Sequence, residues 1–226
     1  MPLVNFDTEP GLVKQPSPKA PKIKKEPKAH IGFILDESSS MVSVWQDTID
    51  GFNYYIGELR KEVPNTNVTF ATFVADKFKL RGEDKPIDEI LPLNTKSYTP
   101  FGSTPLVDSV IELIISIQQR VNLNPELKPI IVIQTDGEEN SSKLYDMLDL
   151  HNRIQKKRKE GWKFILLTCG FDSNRLASKM GIDPDMSIQY GKGKTREAFK
   201  LTAQITTKSA KGGEVVFSLE DKRRLK

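Results

Sequence analysis

Ala29-His-Ile-Gly-Phe-Ile-Leu-Asp-Glu-Ser-Ser-Ser-Met41 opens on a short apolar run and stops abruptly at two acids followed by hydroxyl side chains. A run such as His30 to Leu35, without polar alternation, is what a strand buried on both faces requires. Strands of that kind are typical of parallel sheets covered by helices. Asp36 then stands at the strand's carboxyl end, where open parallel sheets place their ligands.

On the amino side of this stretch the composition changes. Residues 1–28 set prolines at positions 10, 16, 18, 21 and 27 among six lysines and show almost no apolar periodicity. Proline blocks helix and sheet, and interspersed lysine keeps a chain solvated, so an extended, polyproline-like arm is expected. Its apolar residues cluster before Lys14, at Leu3, Val4, Phe6, Leu12 and Val13, with Ile23 beyond. A pure phosphate binder would not need them, which favours docking of the arm on a neighbouring protein over nucleic acid.

On the carboxyl side, Trp45, Ile49, Phe52, Ile56 and Leu59 recur at steps of three and four, marking a helix that closes before Pro64. Residues 67–75 return to strand chemistry, with 77–80 and 87–93 as weaker strand candidates and 95–103 as a loop. Helices are expected over residues 105–121, 141–159, 174–180 and 195–207, and strands over 130–134, 162–168 and 187–190. The alternation predicts an α/β fold with a doubly wound, mostly parallel sheet flanked by helices over residues 29–208. A C-terminal strand and basic tail are expected over residues 209–226.

The chain carries a net charge of +4, but the arm holds +3 and the last six residues another +3, leaving −2 on residues 29–220. A nucleic-acid groove needs a positive footprint on the folded body, so that class is not indicated. No apolar run reaches signal-peptide or bilayer length, which predicts a soluble protein with no membrane partner and no signal-peptide secretion. The expected location is the cytoplasm or an intracellularly assembled particle. Cys169 is the only cysteine, so no intrachain disulfide is expected and the residue reads as a small buried hydrophobe.

Asp36-Glu-Ser38-Ser-Ser40 has the form D-x-S-x-S. These serines also suit the cap of a helix starting near Met41, since serine and aspartate oxygens accept hydrogen bonds from unpaired helical N–H groups. Gly102-Ser-Thr104-Pro-Leu106 puts a threonine hydroxyl before a helix, where it also reads as an N-cap followed by proline at the first helical position. Gln134-Thr-Asp136-Gly-Glu-Glu-Asn140 puts an aspartate at the end of a buried strand. Taken in order, D-x-S-x-S, T-P-L and T-D-G resemble the metal-ion-dependent adhesion site (MIDAS) of von Willebrand factor A-type (VWA) domains. The resemblance covers about residues 29–208. It implies a doubly wound α/β fold with a metal at the carboxyl edge of the sheet, held by Asp36, Ser38, Ser40, Thr104 and Asp136. Ser39 stands where that family often has glycine.

The donor chemistry is coherent in itself. Every donor is a hard oxygen, which suits Mg²⁺, Mn²⁺ or Ca²⁺ and argues against zinc. Two carboxylates offset the ion's charge, three hydroxyls fill neutral positions, and an exchangeable position is left for an Asp or Glu carboxylate of a partner protein. Glu138 and Glu139 read as rim residues or as the acidic first turn of the next helix. The function expected is a metal-dependent protein-binding module and not an enzyme. The alternative is a structural or assembly component of a larger particle, such as a virion. A Mg²⁺-dependent hydrolase ranks below both, because no general base accompanies the site: His30 starts a strand and His151 lies within a helix. Gly191-Lys-Gly-Lys-Thr195 ends like a phosphate-binding loop, but that pattern needs a glycine where Ile188 stands. The two glycines read instead as a turn, with Thr195 capping the next helix.

Overall fold

The computed structural model describes residues 29–226 apart from positions 76 and 138. The arm expected over residues 1–28 lies outside the described residues. β1 (Ala29–Asp36) is buried at every position. It pairs in parallel with β2 (Asn67–Val74) on one side and β4 (Lys128–Thr135) on the other. β5 (Lys163–Cys169) and β6 (Ser187–Tyr190) continue the parallel sheet beyond β4, while β3 (Lys77–Pro86) runs antiparallel to β2 at the opposite edge. The order is β3-β2-β1-β4-β5-β6. The chain winds outward from β1 to β3, then returns to the other side of β1, so the carboxyl ends of β1 and β4 flank the switch point.

α1 (Trp45–Glu62) and α5 (Thr195–Ala210) cover one face of the sheet, and α2 (Leu106–Leu123), α3 (Met147–Lys159) and α4 (Ser173–Met180) the other. Side chains alternate along β1 accordingly. Ile31, Phe33 and Leu35 enter the first core, where the Phe33 ring meets Phe52 at 5.2 Å and Phe199 at 6.1 Å between centroids. Ile34 enters the second core, against α2 and β4. Each such side chain fully buried contributes about 1.5–3 kcal/mol. Gly32 shares that second face because a Cβ there would stand 2.4 Å from Ile117 Cδ1 and 2.7 Å from Ile131 Cδ1. No helix among the described residues is long and apolar enough to cross a membrane.

The structure departs from expectation in four places. β3 runs on to Pro86 as one edge strand, and the strand expected over residues 87–93 is a single 3-10 turn, Ile87–Glu89, followed by irregular chain. Ile87, Ile90 and Leu93 still reach the first core from there, so their burial needs no ladder. α3 starts at Met147 because Asp146 and Asp149 form a reciprocal capping box, and residues 141–146 stay irregular. Thr195 does not cap α5; Lys194 holds that position without a side-chain hydrogen bond. Finally, no strand forms over residues 209–226. They comprise the end of α5, an irregular stretch and α6 (Leu219–Leu225), which a Ser218–Asp221 capping box starts. α6 buries Leu225 in the first core, and the Leu225 carbonyl accepts from Gly191 N at 2.9 Å.

Candidate metal centre at the carboxyl edge

Three loops meet above the ends of β1 and β4. Asp36 closes β1, fully buried, and Ser38 follows in extended backbone. Ser38 N donates to Asp36 Oδ1 at 2.8 Å, and Thr135 Oγ1 donates to Asp36 Oδ2 at 2.5 Å. The Ser38 and Ser40 hydroxyls are hydrogen-bonded at 3.0 Å, and Ser40 Oγ donates to Asp136 Oδ1 at 2.6 Å. Asp36, Ser38, Ser40 and Asp136 thus form one connected chain of oxygen donors. Thr104 is buried in the next loop, and its hydroxyl makes no hydrogen bond to the described residues. A Cβ on Gly137 would stand 3.4 Å from Thr104 Oγ1 and 3.5 Å from Ser40 Oγ, so both hydroxyls flank the same glycine.

Burial pushes the Asp36 carboxyl up to about 6 against the hydrogen bonds from Ser38 and Thr135, with Asp136 adding a smaller upward push. Burial likewise raises Asp136, against its hydrogen bond from Ser40. The Lys192 charge offsets part of the effect at Asp136, and a divalent ion is one chemistry that would favour the charged form of both carboxylates. Among the described residues there is no group of three or more His, Cys, Asp or Glu that could hold a metal. Hydroxyls instead make up most of the donor set here, which fits a hard cation and not zinc.

The loops are fixed by partners other than helix caps. Ser38 and Pro105 occupy the cap positions of the two following helices, and neither gives a side-chain cap hydrogen bond; Thr104 precedes the second cap position. Asn140 clamps the Thr104 loop by accepting from Thr104 N at 2.8 Å and donating its own N–H to Thr104 O at 3.2 Å. Glu139 lies outside the first turn of α3, where the sequence allowed it. Its carboxylate accepts from Val107 N at 2.7 Å in the first turn of α2, and from Ser141 N and Ser142 N. Glu138, the other expected rim acid, lies outside the described residues. Gly102 has φ of +77°, and a Cβ there would meet the Ala75 backbone at 2.8 Å, so the Thr104 loop can lie against the β2–β3 turn.

Sequence reasoning passed over Thr135, Tyr98, Asn140, Glu37 and Arg81. Tyr98 is buried and donates its hydroxyl to the Asp36 carbonyl. Thr135 was readable as part of T-D-G, whereas the others depend on pairings between distant segments. A groove of about 700 Å³ lies elsewhere, lined by Tyr54, Arg196, Glu197 and Arg224 among others. Its charges are partly paired within the chain, as in Arg224 Nε to Glu197 Oε1 at 3.0 Å.

No protein-family model matches the sequence, and no curated protein matches it. Solved structures share the fold at low identity. Proximal thread matrix protein 1 from the mussel byssus is 14% identical with a TM-score of 0.55, over 80% of this chain and 49% of that one. A von Willebrand factor type A structure from Catenulispora acidiphila is 14% identical with a TM-score of 0.55, over 84% and 44%. The manganese-loaded TRAP protein of Plasmodium vivax is 15% identical with a TM-score of 0.53, over 80% and 74%. The chain therefore has the VWA fold. It spans about half the length of the byssus protein that it matches.

Proposed function

We propose that the chain is a metal-dependent protein-binding module in which Asp36, Ser38, Ser40, Thr104 and Asp136 hold one Mg²⁺ or Mn²⁺, or Ca²⁺, and the ion takes an Asp or Glu carboxylate of a partner protein. The observation that carries this reading is the connected donor chain Asp36–Ser38–Ser40–Asp136, with the Thr104 hydroxyl beside it, at the switch point of the sheet. A bound ion would supply positive charge at this edge; the residues bind and orient it. The manganese of the TRAP structure lends support by analogy of fold. The two histidines favour binding over hydrolysis, since both are engaged elsewhere. His30 bonds Thr69, and His151 Nδ1 lies 3.1 Å from the Lys179 carbonyl.

The test is capture of partners on the immobilised full chain, with Mg²⁺ and with a chelator, identified by mass spectrometry. Partners lost both on chelation and on Asp136→Ala are expected. A partner set indifferent to both treatments would overturn the proposal. Docking of the arm on a neighbouring protein belongs to the same proposal. β1 enters the sheet at the edge opposite the metal residues, so deleting residues 1–28 should leave Mg²⁺ binding intact while weakening that second association.

A further inference from the structure

One buried ion pair beside the donor loops is not needed as a metal ligand. Glu37 sits between Asp36 and Ser38, and its side chain is 4% exposed; Arg81, on the edge strand β3, is 13% exposed. We propose that Arg81 and Glu37 are positioning residues for the metal centre, setting the spacing between the Asp36–Ser40 loop and the Thr104 loop. The inference rests on the metal-binding reading above.

The polar atoms of Glu37 are all engaged. Its N–H donates to Phe73 O at 2.9 Å, and its carbonyl accepts from Phe101 N at 2.8 Å. Its carboxylate accepts from Thr99 N at 2.8 Å through one oxygen and from Arg81 at 2.6 Å through the other. Arg81 also donates through Nε to Thr72 Oγ1 at 2.9 Å and through a terminal nitrogen to the Ser97 carbonyl. Neighbouring side chains in extended backbone point to opposite sides, so pinning Glu37 towards β3 leaves the Asp36 carboxylate on the other side, where Thr135 of β4 donates to it.

The same pair holds the second loop. Ser97, Thr99 and Phe101 are each tied to Arg81 or Glu37, and three residues further on the chain reaches Thr104. Tyr98 adds its hydroxyl bond to the Asp36 carbonyl, and Ser39 N donates to Gly102 O at 3.0 Å. Both donor loops therefore hang from one charged anchor. Buried ion pairs are weak evidence of stabilisation, since apolar replacements are often neutral, so a role in stability alone does not explain the pair's place between two donors. The three directions used by the guanidinium also exceed what a lysine ammonium on a flexible stem would fix.

The experiment is a calorimetric Mg²⁺ titration of the full chain as wild type, Arg81→Met, Arg81→Lys and Glu37→Gln, with Glu37→Gln repeated in a Thr104→Ala background and melting temperatures recorded without metal. Arg81→Met and Glu37→Gln should each weaken Mg²⁺ binding about 10-fold, the scale of losing a ligand's outer support. Arg81→Lys should fall between these and wild type. The Glu37→Gln effect should shrink when Thr104 is already alanine, because the anchor then has no second-loop donor to place. Folded variants that melt earlier but bind Mg²⁺ with the wild-type Kd would reduce the pair to a stabilising role and overturn the proposal. If Arg81→Met does not fold, Arg81→Lys and Glu37→Gln decide on the same readout. A wild-type chain that binds no Mg²⁺ would overturn the metal reading and this inference together, and it is recognised before any variant is compared.

Discussion

β1 carries an ionisable side chain near each end, and the two ends treat it differently. His30 and Asp36 are both fully buried. Burial drives each towards its neutral form, His30 down to about 4 and Asp36 up to about 6. His30 is enclosed by neighbouring strands: Nε2 is hydrogen-bonded to Thr69 Oγ1 at 2.9 Å, and Nδ1 lies 3.5 Å from Asp84 Oδ1. Asp84 is in turn 3.7 Å from Arg120 Nε. Asp36 meets Thr135 at the last position of β4, and the loop residues Ser38, Ser40 and Asp136 continue the same hydrogen-bonded set beyond the strand ends. Burial of a charge does not by itself mark a functional site. The difference lies in whether the group is enclosed within the sheet, as His30 is, or stands at a strand end where loop residues complete its surroundings, as Asp36 does.

The two ends of β1 should respond to pH in opposite senses. His30 has a lowered folded pKa, so as pH falls from about 6.5 towards 4 the unfolded chain takes the proton first and stability is lost, by about 3 kcal/mol at most. Asp36 has a raised folded pKa, so in the metal-free protein it works in the opposite direction over a similar window. Chemical denaturation of Asp36→Asn and of Asp36→Asn/His30→Gln isolates the histidine contribution. The first should lose stability between pH 6.5 and 4, and the second should lose correspondingly less. Parallel curves would show that His30 is not held neutral.

At the carboxyl end, Thr104→Ala should lower Mg²⁺ affinity by at least about 10-fold. Without metal it should change stability by less than the roughly 1 kcal/mol of a lost N-cap. Glu139 and Ser142 accept from Val107 N and Asp108 N in the first turn of α2, so the threonine is not needed there. A large stability loss with unchanged affinity would return Thr104 to the capping role. The smallest effect belongs to Ser39→Gly. Ser39 is exposed and contributes its backbone N–H to Gly102 O, which glycine retains. Stability should move by no more than about 0.5 kcal/mol and Mg²⁺ affinity should not move, by denaturation and calorimetry.

The central strands were legible because burial on both faces leaves an unbroken apolar run, as in Ile130 to Ile133 and Phe164 to Leu167. β3 outruns its apolar signal because an edge strand has no such constraint: beyond Leu80 it continues through Arg81, Gly82, Glu83, Asp84 and Lys85. The C-terminal helix is masked by the strand-like composition of Val215, Val216 and Phe217, while the Ser218–Asp221 capping box is the local signal for helix. The five proposed donors lie close together because each stands at a strand end or just before a helix, positions that sequence pattern locates well. Arg81, Tyr98 and Asn140 gave no such signal, since each acts across a gap fixed only by tertiary structure.

The most direct test is a calorimetric titration of the full chain with Mn²⁺, comparing wild type, Asp36→Ala and His30→Gln. One ion per chain should bind to wild type and to His30→Gln, and none to a folded Asp36→Ala. Undiminished binding in Asp36→Ala, or no binding in wild type, would contradict the metal reading.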